Sequence, residues 1–245
     1  MSQAERIFLT GGSGRLGTEL RALLPEAVAP LETEMDITDP TAVAAALDRA
    51  RPTVLVHAAA YTDVAGAERQ RELCWRVNVR GTGNVVRAAA ARGLFLVHIS
   101  TDYVFEGTRG GYREDDPPGP VRNYYSLSKL AAEELVRMCP EHLVIRTSFR
   151  PRQWPYPVAF TDVYTSQDYV DIIAPQIALA IRRCRQAGCA TLHIATERKS
   201  VFELARRRKP DVQPGSKVGA AVALPDDISL DVKRWEALRR QWETE

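Results

Sequence analysis

RIFLTGGSGRLGTELRALL, from Arg6 to Leu24, reads as strand, glycine loop and helix in immediate succession. Residues 6–10 form a short apolar run of strand length. Gly11, Gly14 and Gly17 then fall at G-x-x-G-x-x-G spacing. Glycine permits a tight turn and close approach of backbone to a ligand. The helix that follows offers free N–H groups and a positive dipole end to a pyrophosphate. In this setting the triplet points to dinucleotide binding, whereas a glycine triplet alone also fits an ordinary connection.

Working outward, residues 27–31 are expected as a second strand. Asp39-Pro40 marks a helix start, with Asp39 as the cap and Pro40 in the first turn. Residues 53–57 (TVLVH) read as a third strand that runs into the small residues AAAYTDV. A long helix is expected over residues 65–92, closed by Gly93. Residues 94–99 (LFLVHI) form a fourth strand that delivers Ser100, Thr101 and Asp102 to the same sheet edge. A loop rich in Gly, Pro and charge spans 104–122, and residues 143–147 are a fifth strand. Strands alternating with helices predict an α/β, Rossmann-like doubly wound parallel sheet. Ligands of such sheets bind at the C-terminal strand ends.

Between the fourth and fifth strands lies YSLSK, Tyr125 to Lys129. Residues four apart share a helix face. A lysine ammonium beside a phenol favours the phenolate, so such a tyrosine exchanges protons near neutral pH. The pair also arises by chance on amphipathic helices. Its convergence with the glycine loop, AAAYT and Thr101 on one sheet edge favours chemistry.

Beyond Arg150 the pattern weakens. RPRQWPYP, residues 150–157, is irregular by its prolines. Helices are expected near 171–186, 201–209 and 231–240, with a short strand at 191–194. Arg206-Arg207-Arg208-Lys209 reads as a solvated basic helix end. Cys184, Cys189 and His193 read as packing residues rather than metal ligands.

A net charge of +2 gives no reason to expect nucleic acid, and 45% hydrophobic residues suit a folded core. The four cysteines form no compact framework, so free thiols are expected. With no apolar run of membrane-spanning length and no signal-like start, the expected location is cytoplasmic.

The stretches TGGSGRLGTEL, DITD, HAAAYTDVAGAE, VNVRGTGN, HISTDYVFEG, NYYSLSKLAAEE and VIRTSF occur in this order over the first 149 residues. Together they resemble the extended short-chain dehydrogenases/reductases, and within them the dTDP-4-dehydrorhamnose reductase family. KSVFELA and LPDDISLD match its C-terminal part more faintly. The resemblance implies reduction of the C4 ketone of a nucleotide-linked 6-deoxyhexulose by NAD(P)H. It implies Tyr125 as the acid, Lys129 on the nicotinamide ribose and Thr101 on the substrate oxygen. Asp102 and Phe149 join Thr101 and Tyr125 on the substrate side. Gly14, Arg15 and Leu16 would line the pyrophosphate, Asp36 and Ile37 the adenine, and Ala60, Tyr61 and Thr62 the nicotinamide side, with Gly11, Gly17, Ala58 and Ala59 also at the cofactor. Asn78 fits either the family's VN position or a role bonding backbone inside the fold.

Departures accompany the match. Ser126 replaces the usual glycine after the tyrosine, Phe149 a usual tryptophan, and Leu224 an arginine before Pro225. The implied organisation is a Rossmann domain at 1–149 and a shortened substrate region at 150–245, packed as a second domain or on the same core. Arg15 favours NADP(H) through a 2′-phosphate, and Glu32 leaves NAD(H) open. The family's partner is a nucleotide sugar, and a homodimer is compatible with it; neither a dimer interface nor magnesium carries over. An epimerase of the same superfamily and a non-catalytic cofactor-binding regulatory subunit are the alternatives. A dehydratase is disfavoured because Tyr103, not glutamate, follows Thr101-Asp102.

Overall fold

The computed structural model describes residues 5–219 and 224–244. Buried apolar runs make the strands of the main sheet: Ile7–Thr10 (β1), Val54–His57 (β2), Phe95–Thr101 (β3) and His142–Thr147 (β4). Between them run helices Arg15–Leu23 (α1), Pro40–Ala50 (α2), Val64–Arg69 (α3), Arg71–Trp75 (α4), Thr82–Ala91 (α5) and Tyr124–Val136 (α6). Phe149–Arg150 (β5), Val158–Phe160 (β6), Tyr164–Thr165 (β7) and Asp168–Tyr169 (β8) follow as short strands. Helix Val170–Arg182 (α7) leads to strand Thr191–His193 (β9). Lys199–Ser200 (β10), Val201–Arg206 (α8), Gln213–Gly215 (β11) and Lys233–Thr244 (α9) complete the elements.

The five-stranded sheet has the order β1-β2-β3-β4-β9, and β1, β2 and β3 pair in parallel. The register sets His57 beside both Thr10 and His98. This is the Rossmann-like α/β architecture that the alternating pattern predicts, with all strand ends of one sense on one edge.

By its contacts the chain divides into two compact units. One holds residues 1–100, 123–145 and 174–191; the other holds 101–122, 146–173 and 192–245. The chain therefore passes between the units several times. In the first unit Phe8, Leu47, Leu55, Val85, Leu96 and Val144 belong to one apolar cluster. In the second, Trp154, Val163, Val201 and Val212 form another.

Two expected elements differ. Residues 27–31 make only one parallel bridge, Phe8 to Val28, in place of a strand. Pro30 has no N–H to donate, so pairing stops at Val28. The long helix expected over 65–92 is interrupted. It breaks at Gln70 and widens into a π turn at Arg76–Gly81 before α5. Asp39 does cap α2, accepting the N–H groups of Thr41 and Ala42, and Gly93 takes φ +61° just past α5.

Candidate active site

Close packing of backbone explains the glycine loop. Gly11 has φ +74°, and a Cβ there would stand 2.6 Å from the Ala59 nitrogen. A Cβ on Gly17 would collide with the Gly11 carbonyl oxygen. The Gly14 N–H donates to the Gly11 carbonyl at 3.0 Å, and Gly14 caps α1 without a side-chain bond. The first N–H groups of α1 are thus left for an anion. Ser13, Gly14 and Arg15 are exposed at this end, while Leu16 and Gly17 are buried.

Behind the loop runs a chain of polar contacts. The Ala59 N–H donates to Thr10 Oγ1 at 3.2 Å, and Thr10 Oγ1 meets His57 Nδ1 at 2.8 Å. His57 Nε2 meets Thr82 Oγ1 at 3.0 Å, and that hydroxyl donates to the Asn78 carbonyl at 2.6 Å. Asn78 accepts the Tyr61 N–H at 2.7 Å and donates to the Tyr61 carbonyl at 3.1 Å. It also donates to Ser128 Oγ at 2.9 Å. Burial drives His57 down to about 3, so the ring works as a neutral hydrogen-bonding spacer. The Ala58–Thr62 stretch is held by backbone bonds at both Ala59 and Tyr61.

Helix α6 starts where Asn123 accepts the Ser126 N–H at 2.8 Å. Tyr125, Ser128, Lys129, Ala132, Glu133 and Val136 form its buried face, and Leu127 and Glu134 lie outside. Lys129 is 3% exposed. Its Nζ donates to the Ile99 carbonyl at 2.8 Å and lies 3.3 Å from His98 Nε2. Burial pulls Lys129 down to about 8, opposed by the charge of Glu133. His98 is held well below its ordinary value by burial and then by Lys129, so it meets the ammonium as a neutral ring.

In the second unit Thr101 Oγ1 donates to Asp102 Oδ1 at 3.1 Å and accepts the Tyr103 N–H at 3.2 Å. Asp102 is 1% exposed. Burial pushes its carboxyl up to about 7, against hydrogen bonds that include those of Thr101 and Ser148. Phe149 is half-buried on β5, in register with Asp168 of β8. A carboxyl that titrates near neutrality beside a candidate substrate-binding hydroxyl is a group suited to proton chemistry or to neutral hydrogen-bond donation.

A family model described as the RmlD substrate binding domain matches residues 5–178. The chain belongs to the dTDP-4-dehydrorhamnose reductase family. A dTDP-4-dehydrorhamnose reductase of Mycobacterium tuberculosis is 38% identical over 157 residues, covering 60% of this chain and 51% of its own length. The chain spans about half the length of the curated relatives it matches. Among solved structures, a reductase of that name from Bacillus anthracis, in complex with NADP, superposes with a TM-score of 0.83 at 29% identity. That match covers 99% of this chain and 100% of the other. A hypothetical reductase of the same name from Sulfolobus tokodaii gives 0.82 at 33% identity, over 95% and 94% of the two chains.

Gly11, Gly14, Gly17, Ala58 and Ala59 meet at the loop, and Tyr125 and Lys129 share the α6 face. Asp36 is exposed and its carboxylate accepts both the N–H and the hydroxyl of Thr38 at 2.8 Å. Ile37 is buried against Gly81, its carbonyl held by Asn84 Nδ2 at 3.0 Å. Ala60 and Tyr61 are half-buried, whereas Thr62 and Glu32 are exposed. Thr101, Asp102 and Phe149 lie in the other unit. Asn78 bonds backbone inside the fold. No local pattern marks His57, His98, Asn84 and Glu133, because each acts across at least 25 residues of chain.

The remaining expectations concern charge and sulfur. All four cysteines are free thiols. Among the described residues no group of three or more His, Cys, Asp or Glu side chains is arranged to hold a metal. The basic run is more engaged than a solvated helix end: Arg207 pairs with Asp168 at 2.9 Å and Arg208 with Asp171 at 2.8 Å. No described helix is long and apolar enough to cross a membrane.

Proposed function

We propose that the chain reduces the C4 ketone of a nucleotide-linked 6-deoxyhexulose in the cytoplasm, with dTDP-4-dehydro-L-rhamnose as the nearest model substrate. The observation that carries this reading is the α6 face. Tyr125 and the buried Lys129 share it, in the same unit as a glycine cradle with the open helix end a pyrophosphate needs. The family's named reductases support the substrate class.

The loop fits a dinucleotide: Gly11 and Gly17 have no Cβ and so let it pack tightly on Ala59 and on itself, exposed Gly14 has no side chain to block a ligand, and α1 presents uncapped N–H groups. NADP(H) is favoured by exposed Arg15 at that end and by the likeness to an NADP complex, with NAD(H) as the second candidate. Bound there, the nicotinamide supplies the hydride. Gly14, Arg15 and Leu16 take the pyrophosphate and Asp36 the adenosine. Ala58 to Thr62 border the nicotinamide, and Lys129 takes its ribose. Tyr125 gives its phenolic proton to the ketone oxygen, and the Lys129 ammonium favours the phenolate that results. Thr101 turns its hydroxyl from Asp102 to the substrate oxygen, and the Asp102 carboxyl, protonated near neutrality, donates to Thr101 Oγ1 in exchange. Phe149 offers an apolar wall to the sugar, and residues beyond it serve the sugar nucleotide.

Purified protein given NADPH or NADH with dTDP-4-dehydro-L-rhamnose will consume the cofactor, read as loss of absorbance. Cofactor binding without turnover would refute the reductase and support the non-catalytic regulatory subunit.

A further inference from the structure

The four-residue spacing of Tyr125 and Lys129 continues one step further, to Glu133. All three lie on the buried face of α6, and Glu133 is the most deeply buried at 0% exposure. A carboxylate so buried needs strong partners. Ser100 Oγ donates to Glu133 Oε1 at 2.5 Å, and Arg137 Nη2 lies 3.6 Å from Oε2. Lys129 reaches the same strand one residue earlier, at the Ile99 carbonyl. Two successive turns of α6 are therefore fastened to two successive residues of β3, immediately before Thr101 in the chain.

The charges around Lys129 come from several elements. His98 on β3 touches it and is neutral. His57 on β2 lies with its ring centroid 5.2 Å from that of His98 and is neutral as well. On α4, Cys74 has its thiol pushed up by burial, so it carries little charge at neutral pH. On α6 itself Glu133 acts to raise Lys129, while burial acts to lower it. Among the described residues Glu133 is the carboxylate whose charge acts to raise Lys129, whose hydrogen-bond partners, His98 and the Ile99 carbonyl, are both neutral.

We propose that Glu133 is a positioning residue of the reductase site: its charge keeps Lys129 protonated, and its bond to Ser100 holds α6 against the end of β3. This rests on the reading of Lys129 and Tyr125 as cofactor and proton-transfer residues, but it is testable in protein without cofactor. The chain has five lysines, few enough to resolve by NMR of protein labelled with 13C at the lysine ε carbon. Lys129→Met identifies the Lys129 signal by its loss. In the unliganded wild-type protein that signal titrates near pH 8. Removing a charge one helical turn away, as in Glu133→Gln, lowers the midpoint by about one pH unit. The amide still accepts from Ser100, so the fold is retained.

The two halves of the proposal separate in the variants. Ser100→Ala cuts the tie and keeps the charge, so its Lys129 midpoint stays near that of the wild type. Its kcat drops about tenfold, while NADPH affinity measured by fluorescence hardly changes. Glu133→Asp, whose shorter side chain withdraws from Ser100 but keeps the charge, behaves like Ser100→Ala; if Glu133→Gln is recovered unfolded, Glu133→Met, which removes the charge with a side chain of similar length, decides the electrostatic role by the same Lys129 midpoint. An unchanged Lys129 midpoint in folded Glu133→Gln overturns the electrostatic role. Wild-type kcat in both Ser100→Ala and Glu133→Asp overturns the positioning role. A protein that shifts its Lys129 midpoint as expected yet reduces no sugar nucleotide refutes the proposed reaction and leaves the electrostatic role standing.

Discussion

Asp102→Asn tests whether a buried carboxyl titrates inside the second unit. Asp102 keeps its proton to about pH 7 in the fold, against an ordinary value of 3.8. A difference of roughly three units, at about 1.4 kcal/mol each, amounts to about 4 kcal/mol. The sign follows from proton counting. Between about pH 4 and 7 the folded chain holds this proton and the unfolded chain has released it, so stability falls as pH rises. The contribution is fully present below pH 3.8 and lost as pH passes through 7. An asparagine neither gains nor loses a proton, so the variant lacks this slope. At pH 8 it escapes the burial penalty and gives back part of the gain through imperfect hydrogen bonds, each worth about 1 kcal/mol. The net expectation is a variant more stable than wild type by about 2 kcal/mol at pH 8, with the gain gone by pH 4.5. Urea unfolding at half-unit steps between pH 4.5 and 8 measures the difference. A wild-type-minus-variant difference that stays flat over this range would refute the reasoning.

Tyr125→Phe should reduce turnover by at least a thousandfold and leave NADPH affinity within about twofold, since only the proton donor is removed; a variant that keeps most of its rate would rule out the acid assignment. In Gly17→Ala the new methyl meets the Gly11 carbonyl. The strain costs about 1–3 kcal/mol in thermal unfolding, and cofactor binding by fluorescence weakens at least tenfold. Asn78→Ala strips the Tyr61 backbone of both its side-chain bonds and costs about 2–4 kcal/mol by urea unfolding; a loss under about 0.5 kcal/mol would show that the polar chain is incidental. Because Lys129 loses its ammonium as pH rises through about 8, NADPH affinity should decline between pH 7 and 9.5. In Lys129→Met that decline should disappear from the titration.

The parts legible in the sequence are those whose physics is local. A glycine that must admit another backbone at once, a cap such as Asp39, and a tyrosine one turn from a lysine each lie within a few residues of their cause. Apolar content at residues 27–31 suggests a strand but says nothing of the donor missing at Pro30. The periodicity of residues 65–92 suggests one helix because a period near 3.6 does not reveal one extra residue in a turn. Least legible was the polar chain from Ala59 through His57 and Thr82 to Asn78. Its members look like ordinary buried residues until β1, β2 and the helices are brought side by side. Burial adds something the spacing of Tyr125 and Lys129 does not carry: it brings Lys129 close to its own titration point.

The π turn at Arg76–Gly81 bears on which changes this stretch tolerates. An α-helix rotates by about 100° per residue, so losing one residue here would turn everything beyond it by that angle relative to α4. Asn78, within the turn, bonds the Tyr61 backbone and Ser128, and Thr82, just past it, meets His57, so that rotation parts at least one of them from its partners. Conservative substitutions other than proline that spare Asn78 and Gly81 keep the residue count and with it these facings, whereas a single-residue deletion shifts them. In this part of the chain, the number of residues carries information that their identities do not.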